Sequence, residues 1–237
     1  QRHQHIRADV RGAHHRDVGP EGETGEHELR GRSCCAHPVA YRDQIVAFAT
    51  TPFLDVVAGE AGEAYGIPGS TEKRLSRSTR TILFAKPELV IIFDRLVAPK
   101  ESAYQYWLHS ADEMQVRNDR EVEIRAGDVR CDVTFLAPSK LRFRQTNEYD
   151  PNPRLRVKLR EWHLTGETTA PAKSVEFVVL YRPHRASQSL PREAELKKVL
   201  GGYYLTAQLS DGSVRAILPT GDDTPLRFEG LQTRGAV

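Results

Sequence analysis

The chain has 237 residues, 39% of them hydrophobic and 28% charged, with a formal net charge of +2. That composition suits a globular protein with one large core or two small ones, and it excludes a chain too polar to fold. The charge is too small to argue for nucleic acid as a partner, and no run approaches the roughly 18 consecutive apolar residues that a membrane-spanning helix needs.

Residues 1–40 differ from the remainder. They hold six of the nine histidines (His3, His5, His14, His15, His27 and His37) among Gly, Glu and Arg, with few large apolar groups. No helical or strand period emerges, so they read as a long irregular polar segment ahead of a folded domain over 41–237. The first residue is Gln1, and no basic-then-apolar leader follows it, so the expectation is a fragment or a processed product. Within this segment His3 and His5 are two apart, which puts both imidazoles on one face of an extended chain and makes them candidate metal ligands. Cys34 and Cys35 are adjacent and Cys131 stands alone in VRCDVTFLAP, so no disulfide framework and no CxxC zinc pattern is present.

From Tyr41 onward the punctuation is that of a β protein. QIVAFAT is followed by TPFLDVVAGEAGEAYG and RLSRSTRTILFAK, with Lys86 and Pro87 turning the chain into ELVIIFDRLVA. LVIIF is apolar on both faces, as expected of a strand held between two layers. SAYQYWLHS, EVEIRAG, VRCDVTFLAP, KLRFRQT, RLRVKLREWHLTGE, KSVEFVVLYRP, GYYLTAQLS and GSVRAILP read as further strands. Asp211 and Gly212 signal a tight hairpin of the primed type. PREAELKKVL, at 191–200, is the one stretch that reads as a short helix, with a proline in its first turn. A dozen or so short strands with one apolar face each predict an all-β fold, an antiparallel β-sandwich of two stacked sheets, with a barrel as the alternative.

In SAYQYWLHS, alternation puts Gln105, Trp107 and His109 on one face and Tyr104, Tyr106 and Leu108 on the other. A face carrying amide, indole and imidazole is either a core wall with polar handles or the floor of a site. Glu60 stands in VVAGEAGEAY between glycines that permit close backbone approach. The basic stretches LRFRQ and RLRVKLR alternate at strand spacing, the pattern of a solvated sheet face on which an acidic polymer could also lie. Nucleophile-elbow, HExxH and phosphate-loop signatures are missing.

The succession from QIVAFATTPFLDVVAGEAGEAYG through RSTRTILFAKPELVIIFDRLVAPKESAYQYWLHS resembles the β-sheet region of heparinase II/III-like polysaccharide lyases, including related alginate and oligoalginate lyases. Gly59-Glu60-Ala61 with Ala64-Tyr65, Arg80 to Arg95, and Trp107 to Ser110 carry the likeness, which is good over 41–110 and looser through Pro183. The resemblance implies a β-sandwich that packs behind an α/α-toroid of helices, periplasmic or secreted, and β-elimination of uronic-acid polysaccharides such as glycosaminoglycans or alginate. It also implies zinc held by His109 and by Glu60, at a position where the family often has Asp, with His3 or His5 as a third ligand. Tyr65 is the candidate acid or base, and Arg80 and Trp107 are candidate substrate contacts. The toroid has no counterpart within these residues, so the expected activity belongs to a larger protein. The expected partners are an acidic polysaccharide and that toroid, with no nucleic acid and no membrane. The alternatives are a non-catalytic carbohydrate-binding or structural β-sandwich, and a small enzyme with a metal site made by His3, His5 and His109.

Overall fold

A computed structural model describes residues 5–9, 44–66, 72–149, 161–221 and 225–234. The strands, in chain order, begin with β1 (His5–Asp9), β2 (Gln44–Thr50), β3 (Leu54–Glu60), β4 (Arg77–Ala85), β5 (Leu89–Ser110) and β6 (Gln115–Val116). They continue with β7 (Glu121–Ala126), β8 (Val129–Ala137), β9 (Leu141–Thr146), β10 (Trp162–Thr168) and β11 (Ala172–Arg185). The last are β12 (Ala194–Val199), β13 (Gly202–Leu209), β14 (Gly212–Pro219), β15 (Pro225–Phe228) and β16 (Leu231–Arg234). Gly62–Tyr65 forms one turn of 3-10 helix between β3 and β4. The fold is all-β, and among the described residues no helix is long and apolar enough to cross a membrane.

The long strand β5 organises everything else. Its first part, Leu89 to Val97, lies antiparallel between β4 and β11, inside a sheet ordered β2-β3-β4-β5-β11-β8-β7-β6. Its last part, Ala103 to Ser110, pairs with β1 in parallel and with β10 antiparallel, and β9 follows β10. Between the two parts the chain passes the exposed residues Pro99, Lys100 and Glu101. Burial is nearly continuous before this point and strictly alternating after it. A strand covered on both faces is apolar along most of its length, with any buried charge such as Asp94 held by a partner, whereas one covered on a single face needs only every second residue apolar.

Two cores follow from this arrangement. The first lies between the sheets, where Tyr106 of β5 meets Phe135 of β8 and Phe177 of β11 at ring separations of 5.3 and 5.4 Å. The second lies on the other face of the first sheet, where Leu89, Ile91, Phe93, Val178 and Leu180 meet Leu205, Ala207 and Leu218 of a third sheet, β12-β13-β14. Glu88, in the β4–β5 turn, fastens that third sheet: the backbone N–H and hydroxyl of Ser210 donate to its two carboxylate oxygens, each at 2.7 Å.

The expected two-layer sandwich is therefore present, with a third small sheet added. Three local expectations differ. ELVIIFDRLVA and SAYQYWLHS are one continuous strand, because Pro99 sits at the exposed corner where a missing N–H costs nothing. The predicted helix at 191–200 is β12 instead: Ala194 and Leu196 pack on the second core, and pairing with β13 overrides the helical preference of Glu, Leu and Lys. The β13–β14 hairpin exists, but neither Ser210 nor Asp211 has the positive φ a primed turn requires. The readings of 10–40 and of RLRVKLR over 154–160 lie outside the described residues.

Candidate functional site

The outer face of the second sheet is a wall built by pairing register. Gln105, Glu167 and Arg142 form one rung across β5, β10 and β9; Trp107, Thr165 and Arg144 form the next; His109, His163 and Thr146 form the third. Residues directly opposite one another in antiparallel strands share a face, so all nine project the same way. The intervening residues Tyr104, Tyr106, Leu108 and Leu164 are each at most 1% exposed and anchor the wall to the first core. Gly166 fits this inner face because a Cβ there would come within 2.9 Å of the Phe143 ring.

The middle of the wall is aromatic. The Trp107 ring stacks with His163 at 5.3 Å and 22° and with His109 at 6.2 Å and 23°. Tyr149 lies 4.8 Å from the His163 ring, and the two imidazoles are 6.4 Å apart. Glu161 stands at the edge, its carboxylate 3.6 Å from Nδ1 of His109 and accepting from the Tyr149 hydroxyl at 3.4 Å. The Gln105 amide donates to Glu167 at 2.8 Å. Such a surface suits the apolar face of a sugar ring, while the ring nitrogens of His109 and Nδ1 of His163 are turned into the wall.

Glu60 lies elsewhere. It pairs with Thr79 of β4, which in turn pairs with Arg95 of β5. Its carboxylate accepts from the backbone N–H groups of Gly62 and Ser78 at 3.0 and 3.1 Å and from the Thr79 hydroxyl at 2.5 Å. Gly62 leaves room for this carboxylate, since a Cβ there would sit 2.8 Å from its oxygen and push it aside. Arg95 on the same face donates to the carbonyl of Thr220 beyond β14 at 3.1 Å, and burial together with the neighbouring Arg77 charge lowers its pKa to about 10. Glu60 thus looks toward the third sheet, while His109 looks outward from the second.

No family model matches the sequence, and no curated protein matches it. Solved structures do. The heparan sulfate lyase HepC from Pedobacter heparinus superimposes with a TM-score of 0.53 at 14% identity, over 75% of this chain and 28% of that one. A heparinase III structure superimposes with a TM-score of 0.57 at 10% identity, over 75% of this chain and 27% of that one. The fold is that of a heparinase-like β region. The chain spans little more than a quarter of the length of the lyases it matches.

Within this heparinase-like β region the residues singled out from sequence are dispersed. Trp107 and His109 stand together on the wall. Arg80 does not join them: its guanidinium forms a fork to Asp94, with both hydrogen bonds at 2.6 Å, and lies 5.7 Å from the centre of the Tyr106 ring. Although burial alone would lower the Arg80 pKa, Asp94 outweighs it and drives the value far above the usual range. The carboxylate clamp expected for substrate is thus occupied by Asp94 from within the fold. Tyr65 packs, partly buried, against the first core and not on the outer wall. The backbone of His5 pairs with Ala103, six residues along β5 from His109, or about 20 Å at strand rise. His3 lies outside the described residues. Among the described residues no group of three or more His, Cys, Asp and Glu side chains is arranged for a metal ion. Glu60 and His109 are not brought together; His109 instead has His163 and Glu161 beside it, and the side chain of His5 lies outside the described residues.

Sequence reasoning missed His163 and Arg144. In EWHLTGE alternation sends Trp162 to the inner core and His163 to the outer face. That parity is readable, but which strands become neighbours is not encoded in either stretch.

Proposed function

We propose that this chain is the β module of a polysaccharide lyase that cleaves uronic-acid polysaccharides by β-elimination when joined to a helical toroid domain. The reading is carried by one observation: the chain superimposes on heparan sulfate lyase and heparinase III structures over three quarters of its own length but little more than a quarter of theirs. The wall of Trp107, His109, His163 and Tyr149 supports it, since stacked rings flanked by polar groups suit a sugar chain.

In β-elimination a base takes the proton beside the uronate carboxylate, negative charge spreads into that carboxylate, and the glycosidic C–O bond breaks as the leaving oxygen is protonated. The expensive step is holding the enolate-like charge, which needs fixed donors or cations close to the carboxylate. The β module contributes the aromatic wall around Trp107 to one side of the cleft. The proton-transfer groups come from the toroid, because Tyr65 and Arg80 are held within the fold.

The test is an assay for unsaturated uronate ends, read by ultraviolet absorbance, on heparan sulfate and on alginate. The complete polypeptide from the natural gene generates them, and the 237-residue chain alone does not. Cleavage by the chain alone overturns the need for a partner domain. Failure of the complete polypeptide on both polymers, with binding retained, favours the second reading, a non-catalytic carbohydrate-binding module. The same aromatic wall would serve that module equally well.

A further inference from the structure

The wall has an exposed basic margin. In β9, Leu141 and Phe143 turn inward to the first core, so alternation sends Arg142 and Arg144 outward on the same face as Trp107 and His109. Both arginines are exposed. Arg142 reaches the Glu167 carboxylate at 3.5 Å. Arg144 has no carboxylate partner among the described residues, and its rung continues through the hydroxyl-bearing Thr165 to the indole of Trp107. The two guanidinium-bearing positions are separated by two residues of strand, about 7 Å.

An isolated exposed arginine is ordinarily a solvated charge. Here the register places a planar cation, a hydroxyl and an aromatic ring in one line across three strands. A guanidinium recognises carboxylate or sulfate through two parallel hydrogen bonds, and an indole face packs against the C–H groups of a sugar ring. We propose that the Trp107–Thr165–Arg144 rung is a subsite for one anionic sugar unit, with Arg144 taking its carboxylate or sulfate and Trp107 backing its ring. The neighbouring Arg142–Glu167 pair presents a neutralised rung, so the net positive charge of this margin is concentrated at Arg144. The assignment rests on the acidic-polysaccharide reading given above.

The experiment measures binding of the full 237-residue chain to a carboxylate-only polyuronate, to heparan sulfate and to single-stranded DNA, at one fixed ionic strength. Arg144→Gln is expected to weaken binding to an acidic glycan about tenfold, the size of one charge-assisted contact. Arg144→Lys should recover only part of it, because an ammonium keeps the charge but loses the fork. Arg215→Gln, an exposed arginine on the third sheet, removes the same charge elsewhere and should leave affinity unchanged. A loss on both glycans assigns Arg144 to carboxylate, and a loss on heparan sulfate alone assigns it to sulfate. If the wild-type chain binds a glycan and Arg144→Gln binds it equally well, this subsite is wrong while the lyase-module reading stands. If the wild-type chain binds neither glycan, the subsite falls, and the lyase-module reading is decided by the complete polypeptide. Equal dependence of DNA binding on Arg144 overturns the sugar assignment in favour of a general polyanion contact.

Discussion

Glu60 and His109 point in opposite directions across two packed sheets, Glu60 toward the third sheet and His109 outward from the second. Among the described residues they form no common group with other metal-binding side chains. Glu60 instead closes the β3–β4 connection by accepting from Gly62, Ser78 and Thr79. Glu60→Ala should leave the zinc content of the purified protein unchanged while lowering stability by about 1–3 kcal/mol, because several donors lose their acceptor at once. Metal analysis and urea unfolding on the same samples check both halves. A fall in zinc with unaltered stability would return Glu60 to the ligand set.

Arg80 and Asp94 form a forked ion pair whose carboxylate side chain is only 2% exposed. Removing one partner strands the other, so Arg80→Ala should cost about 3–5 kcal/mol, whereas a paired Arg80→Met, Asp94→Leu change should recover most of that loss. Denaturant midpoints of the two variants decide it. If Arg80 served substrate and not the core, the single variant would unfold like the wild type.

The class of the fold was legible because alternation is a local property: the chain writes SAYQYWLHS with Tyr104, Tyr106 and Leu108 on one parity, and all three are buried. The nearly continuous burial of the first part of β5 was legible for the same reason, as an unbroken apolar run. What a local pattern does not carry is which strands become neighbours. His109 and His163 meet because β10 pairs with the end of β5, and nothing in either segment names the other. The stretch over 194–199 shows the reverse problem. Its residues prefer helix when isolated, and only the presence of β13 and the second core makes a strand the better arrangement.

Glu123, on β7, is buried beneath a cluster of arginines. Burial pushes its pKa upward, but the hydrogen bond from Arg125 and the charges of Arg117, Arg125 and Arg130 prevail and leave it below the ordinary glutamate value of 4.5. A carboxyl group that is more acidic folded than unfolded stabilises the fold at pH above its unfolded value, and that contribution disappears as pH falls through the folded one. Glu123→Gln should therefore be less stable than the wild type at about pH 7, and the gap should narrow as pH falls below the unfolded glutamate value, as a urea-unfolding series over that range will show. A constant gap between the two proteins would mean that shape, and not charge, is what Glu123 supplies.

The third sheet is held to the first by the second core and by polar links, among them the clasp of two hydrogen bonds from Ser210 to Glu88 and one from Arg182 of β11 to the carbonyl of Gln208. Glu88 is 8% exposed, so its loss leaves the Ser210 N–H without its acceptor at the tip of the β13–β14 hairpin. Glu88→Ala should lower stability by about 1–3 kcal/mol. The more discriminating readout is hydrogen exchange. Because the clasp acts at one end of β13 and β14, their amides near Leu209 and Gly212 should exchange faster in the variant, while those of β5 and β11 in the first core keep their protection. Uniform acceleration through all three sheets would show that the third sheet unfolds together with the other two, and that Glu88 contributes to a single cooperative unit.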